Sequence, residues 1–291
     1  FISGRLLRPA RVGPVRTCLL LVGLGMAFNA IPTFIEGEKF RPLGVLHRHG
    51  LSTILLNNVV SPEFRNSPAF PALLTGLWYF LSVYFADRRR QPFGVQAETA
   101  QQKFDAVFFK GRQYEADFDP EGLLGALMTA VTIWSGSWFM QNSPRFTDTQ
   151  VFLLGAGLLG SGTLLARVAP NYAPISKPLW TPTFVLASNG WTILKYLLVK
   201  VAIPYLPLAV TNALAVVGKC NLETYFLGEL SLLALRYEFA EGRSFWTIAR
   251  SWLYKLCSPA VSQLLLTAAF DASLVAFAFL CNAKGWKIRL L

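Results

Sequence analysis

Long apolar runs, not a polar–apolar alternation, organise this chain. Stretches of roughly twenty residues with few charges recur from one end to the other, at 15–31, 43–60, 69–86, 122–140, 151–169, 179–201, 208–236 and 259–282. A hydrocarbon core about 30 Å thick needs about 20 apolar residues in helical form, so each run predicts a membrane helix. Helices also satisfy their own backbone hydrogen bonds, which a bilayer interior demands. The pattern predicts an all-α, polytopic membrane bundle of about eight transmembrane helices, forming one membrane domain over residues 1–291. The seventh run is too long for a single crossing and is interrupted at Gly218-Lys219-Cys220-Asn221, which predicts a broken helix or a tight hairpin. The one extended polar stretch is 87–118, with Asp87-Arg88-Arg89-Arg90 and Gln101-Gln102-Lys103. We expect it to be an extramembrane loop.

Composition sharpens this picture. Hydrophobic residues make up 53% of the chain and charged residues only 15%, with a mean hydropathy of +0.42. Soluble domains carry about 25% charged residues, so a solvated globular domain, a coiled coil and a disordered chain are all excluded. Lys and Arg number 27 against 16 acids, a net charge of +11. The basic residues sit in short loops between apolar runs, where they set topology and meet anionic lipid; nucleic acid is not an expected partner. An even number of spans puts both termini on one side, expected to be the cytosol or a matrix. Arg5, Arg8, Arg11 and Arg16 precede the first acid, Glu36. Such an opening fits the remnant of a mitochondrial transit peptide and a positive-inside flank equally. Cys18, Cys220, Cys257 and Cys281 lie in or beside apolar runs without metal-ligand spacing, so no metal site is expected and the cysteines read as packing residues.

Four stretches, in order, carry a family pattern. Arg41-Pro42-Leu43-Gly44-Val45-Leu46-His47-Arg48-His49-Gly50 resembles a helix start of the form GVLQR-G. Phe118-Asp119-Pro120-Glu121-Gly122-Leu123-Leu124-Gly125 resembles a DPEGLLG loop-to-helix junction and is the most specific of the four. Pro174-Ile175-Ser176-Lys177-Pro178-Leu179-Trp180-Thr181 resembles P-NK-LWT, and Gly218-Lys219-Cys220-Asn221 resembles a later G-N helix break. The tail Lys284-Gly285-Trp286-Lys287-Ile288 also fits. Together they resemble the heparan-α-glucosaminide N-acetyltransferase family over residues 14–291.

The resemblance implies a truncated transmembrane acyltransferase-like bundle. That family moves an acetyl group from acetyl-CoA to an amino sugar and uses a histidine upstream of all these motifs, for which this sequence has no matching segment. Its two histidines, His47 and His49, stand where the family places Gln and an apolar residue, and Gly228-Glu229 stands where relatives show Gly-His. Two positions apart, His47 and His49 do not share a helix face. A structural role is therefore expected for both, and no residue is assigned to catalysis.

The candidate pocket residues are Asp119, Glu121, Lys177, Trp180 and Asn221. Asp119 and Glu121 flank Pro120 at a helix start, where the dipole favours negative charge; they read as a capped junction or as the mouth of a pocket. Lys177 and Trp180 read as an interface anchor or as nucleotide contacts. Asp271 lies near the middle of the last apolar run and is the intramembrane charge, expected to be buried or paired, with Arg48, Arg167, Lys195 and Lys219 as available partners. Trp78, Tyr79, Trp134, Trp138, Trp180, Trp191, Trp246, Trp252 and Trp286 are expected at the membrane–water interfaces.

The sequence thus points to a non-catalytic accessory subunit, without cofactor, bound to lipid and to other membrane subunits. The mitochondrial inner membrane and a respiratory complex are the specific expectation. The alternative is an acetyl-CoA-dependent membrane acyltransferase of a lysosomal or plasma membrane, with further N-terminal helices.

Overall fold

The computed structural model describes residues 14–37, 39–58, 61–87, 92–93, 98–112 and 119–286. Residues Arg5, Arg8, Arg11, Arg88, Arg89, Arg90 and Phe118, and the tail from Lys287, lie outside the described residues. The helices are α1 (Pro14–Glu36), α2 (Val45–Asn58), α3 (Pro62–Asn66), α4 (Ala69–Phe85), α5 (Ala100–Phe109), α6 (Leu123–Asn142), α7 (Asp148–Val168) and α8 (Pro182–Ala202). There follow α9 (Leu208–Lys219), α10 (Asn221–Arg236), a hairpin of β1 (Glu238–Ala240) and β2 (Arg243–Ser244), α11 (Phe245–Leu253) and α12 (Pro259–Lys284). Among the described residues, the regular structure is helical apart from that hairpin.

Helix starts follow capping chemistry. Thr99 with Gln102, and Thr147 with Gln150, form reciprocal capping boxes at α5 and α7. Ser258 accepts from the Val261 N–H and Pro259 opens α12, whose far end closes on Gly285 in the left-handed conformation, φ 67°.

Among the described residues, four helices are long and apolar enough to cross a membrane: Val15–Phe34, Leu123–Arg145, Asp148–Val168 and Pro259–Lys284. The other four apolar runs fall short of that measure for distinct reasons. α2 has 14 residues, a length of about 21 Å, and includes His47, Arg48 and His49. α4 has 17 residues. α8 has 21 residues but carries Lys195 and Lys200. The run at 208–236 divides at Cys220 into helices of 12 and 16 residues. The stretch 87–118 is more than a loop: it contains α5, which packs on α4 and α6 and buries Ala100, Gln101 and Asp105. Gln101 Nε2–H donates to Ser82 Oγ at 3.1 Å across that contact.

The chain divides into two compact units, residues 1–201 and 202–289. In the first, α2 packs between α1 and α6, and α4 packs on α6. Leu56, Phe70, Leu74, Trp78, Met128, Ile133 and Val185 form its main core. Trp78 is fully buried there and stacks on Phe93 at 5.6 Å, so it is a core residue and not part of an interface belt. α7 and α8 approach backbone to backbone: a Cβ at Gly190 would stand 2.6 Å from the Gly155 carbonyl oxygen. Small residues that admit this closeness are the packing device of membrane helices. In the second unit, α9 and α10 pack on α12 around buried Cys220, Ala278 and Cys281.

Candidate functional site: a charged junction at the start of α6

The junction between residue 119 and α6 gathers charge that the apolar bundle otherwise avoids. Asp119 has a side chain only 1% exposed. Arg41, in the segment leading to α2, donates from Nε to Asp119 Oδ2 at 2.8 Å and from an Nη to Oδ1 at 2.5 Å. The same Nη donates to Glu121 Oε2. One guanidinium therefore forks onto one carboxylate and reaches the other, an arrangement that a planar, permanently charged group supports and an ammonium does not. Asp119 Oδ1 also accepts from the Glu121 N–H at 2.9 Å, and the Asp119 carbonyl accepts from the Gly122 N–H at 2.9 Å. These two bonds fold the Asp119-Pro120-Glu121-Gly122 turn into the first turn of α6.

Arg48, in the first turn of α2 and seven positions beyond Arg41, is buried at 4% exposure. It donates to the Pro120 carbonyl at 2.8 Å, and its guanidinium lies 4.0 Å over the Trp180 ring. That contact joins the DPEG turn to the segment preceding α8. Trp180 is the one described non-glycine residue with positive φ, 52°, a conformation that is unfavourable for a bulky side chain. Four contacts hold it there. Its N–H donates to the Lys177 carbonyl at 3.1 Å and its Nε1–H to Thr132 Oγ1 at 3.2 Å. Arg48 covers one face, and Phe184 meets the ring edge-on at 5.0 Å.

Asp105 of α5 completes the junction. Its side chain is fully buried, and Oδ2 accepts from the Asp119 N–H at 3.2 Å. Burial pushes its carboxyl up to about 6, reinforced by the charge of Asp119; the N–H groups of Asp119 and Leu123 act against that rise. Asp105 Oδ1 is buried with no hydrogen-bond partner among the described residues. Gly122 makes room for this carboxylate, since a Cβ there would stand 2.6 Å from Asp105 Oδ1.

His47 sits on α2 next to these groups at 4% exposure, with no hydrogen-bond partner at either ring nitrogen among the described residues. Its ring nests against Gly25 of α1. Nearby, Asn29 of α1 donates to the carbonyls of Arg41 at 3.0 Å and Leu43 at 2.5 Å, fixing the entry into α2.

Of the candidate residues, then, Asp119, Glu121 and Trp180 come together through Arg41 and Arg48. Lys177 is exposed and contributes its carbonyl to the turn. Asn221 opens α10 in the second unit, half-buried. Asp271 was expected to be buried or paired. It is exposed on α12, with no hydrogen bond or ion pair among the described residues; the hydroxyls nearest it on that helix, Thr267 and Ser273, donate to the backbone carbonyls of Gln263 and Phe270. Arg48, one of its candidate partners, is instead engaged with Pro120 and Trp180. No group of His, Cys, Asp and Glu able to hold a metal occurs among the described residues.

The sequence reading passed over Arg41, Asn29 and Asp105. Arg41 stood inside a quoted motif, seven positions before Arg48 and beside an apolar run, and that isolation of charge was its available signal. A cavity of about 310 Å³ lies in the same unit, lined by Trp78, Tyr79, Phe93, Tyr172, Thr181 and Leu186 among others; Arg41, Arg48, Asp119 and Glu121 do not line it. No model of a known protein family matches the chain, and no curated protein matches it either.

Proposed function

We propose that this chain is a non-catalytic, acyltransferase-like membrane subunit, a bundle of about eight membrane-embedded helices that packs against other subunits and lipid. The observation that carries the reading is the closure of Arg41 on both Asp119 and Glu121. These are the carboxylates at which the family resemblance suggested a pocket, and here their acceptor capacity is directed at a residue of the same chain. Arg48 is likewise spent on Pro120 and Trp180. Such an arrangement suits a clamp that fixes α2 against α6. The apolar faces of α7 and α12, which are largely exposed in the chain itself, supply surface for lipid and partner subunits. The mitochondrial inner membrane and a respiratory assembly there are the specific setting of this proposal, motivated by the excess of Lys and Arg over acids, 27 against 16.

Isolation from native membranes in mild detergent tests this reading. The chain should migrate with stoichiometric partner subunits, and migration as a stable monomer without them would sink the proposal.

One observation favours a second reading, in which the chain is part of an acetyl-CoA-dependent acyltransferase. His47 holds both ring nitrogens without partners beside a carboxylate–arginine cluster. In that reading a neutral imidazole takes the proton from an amino-sugar nitrogen as it attacks the acetyl carbonyl, and the C–S bond breaks to release the CoA thiolate. Acetyl transfer to glucosamine that disappears in His47→Ala would establish it. The accessory reading expects no transfer by either protein.

A further inference from the structure

The segment between α10 and α12 carries a short helix of unusual character. α11 packs on α10 and α12, with Trp246, Ala249 and Leu253 as its half-buried positions. Phe245, Ile248 and Trp252 follow at i, i+3 and i+7 and form a second apolar row, exposed at 61%, 46% and 63%. Thr247, Arg250 and Ser251 occupy the opposite arc and are exposed. Ser244 and Thr247 cap the helix reciprocally, so its start is fixed.

Two further features bear on what meets this face. The exposed basic groups Arg243, Arg250 and Lys255 lie on or directly beside α11 in the chain, against the exposed Glu238 and Glu241 on the hairpin. Arg250 rests over the Tyr254 ring at 5.0 Å and donates from Nε to the Tyr254 hydroxyl, which holds the guanidinium on the polar side of the helix. The second feature is position. α12 begins at Pro259, six residues after Leu253, and its 26 mostly apolar residues extend about 39 Å, enough to cross a bilayer. α11 therefore stands where the chain enters the membrane, the level at which Trp and Tyr are favoured.

We propose that α11 is a membrane-surface anchor. It lies in the plane of the interface, with Phe245, Ile248 and Trp252 among the upper acyl chains and Arg243, Arg250 and Lys255 on anionic phospholipid headgroups. The proposal rests on membrane crossing by α12 and not on the accessory role, so the presence or absence of co-purifying subunits does not bear on it.

The test uses the full chain in nanodiscs of phosphatidylcholine, with or without phosphatidylserine. Amide hydrogen exchange over 244–256 should be slower with the anionic lipid. Arg250→Gln should lose about fivefold of that protection, and Lys255→Gln about the same, with no change on neutral discs. Equal protection on both compositions overturns the headgroup contact. Insertion has a separate readout. The fluorescence that Trp252→Phe removes from the wild type should be quenched strongly by lipid brominated near the headgroup end of its chains and weakly by lipid brominated at the tip. A Trp252 contribution insensitive to both lipids means that water or protein covers this face, and overturns the anchor. Both Gln substitutions and Trp252→Phe change exposed side chains, so folding is retained.

Discussion

Asp119 and Asp271 are both carboxylates set among apolar helices, and their surroundings differ completely. Asp119 is buried, forked by Arg41 and supplied with a backbone N–H from Glu121. Asp271 lies exposed on the longest apolar helix, among Ala269, Phe270, Ala272 and Leu274, with no partner among the described residues. A carboxylate buried inside a fold must be compensated by that fold, because removing either partner leaves a desolvated charge. An exposed carboxylate on a membrane-crossing helix has its cost set by what surrounds the helix. The first region thus carries its own electrostatic solution, and the second leaves its solution to lipid, water or a partner.

The largest effect expected from this contrast is at Arg41. Arg41→Met removes the counter-charge of Asp119 and Glu121 while keeping side-chain volume, and should destabilise the chain by about 3–5 kcal/mol. Thermal unfolding in detergent reads this directly. A variant that melts with the wild type would show that the junction is not a clamp. The double change Arg41→Met with Asp119→Leu should recover part of the loss, since it removes both partners together.

Gly122→Ala probes how closely the junction is packed. Its Cβ would collide with the Asp105 carboxylate, which sits in a fully buried site, and overpacking of this kind costs about 1–3 kcal/mol. Unchanged stability would mean that α5 can withdraw from α6 freely.

A smaller effect concerns pH. The Asp105 carboxyl is raised from 3.8 to about 6 by burial, so between those values the folded chain holds a proton that the unfolded chain has released. The contribution of Asp105 to stability should therefore be greatest below about pH 4, fall as pH rises through 6, and stay level above, with a fall of roughly 1–3 kcal/mol. Asp105→Asn should remove this segment of the pH profile. A wild-type profile that rises between pH 4 and 6 relative to Asp105→Asn would reverse the sign and defeat the assignment.

The smallest effect should be at Asp271. Asp271→Leu should change the stability of the isolated chain by no more than about 0.5 kcal/mol, as for other exposed positions. The same variant should lose co-purifying subunits if a partner helix hydrogen-bonds to this carboxylate. A large destabilisation of the isolated chain would instead reveal a partner within it and erase the contrast with Asp119.

Some of this was legible in the sequence. The apolar runs marked where helices form, and Gly218-Lys219-Cys220-Asn221 marked the division between α9 and α10. The DPEG turn was recognisable as the start of α6 because Pro120 fixes the backbone at the helix entry and the carboxylates of Asp119 and Glu121 suit a helix N-terminus. The pairing of Arg41 with Asp119 was not legible. They lie 78 positions apart, and nothing local in either segment specifies the other. Asp105 was hidden for the opposite reason: its surroundings are polar in sequence, so the stretch reads as a solvated loop until packing on α4 and α6 buries one face of α5.

By itself, the sequence determined the helical class, the affinity for an apolar medium and the positions of breaks and caps. These depend on hydrophobic periodicity, turn chemistry and backbone freedom, which act over a few residues. Tertiary structure alone decided that Arg41 and Arg48 serve the α6 junction, that Trp78 belongs to the core, and that Asp271 faces outward. Hydrogen bonds and ion pairs between distant segments depend on geometry to within a few tenths of an ångström, and only the packed helices set that geometry.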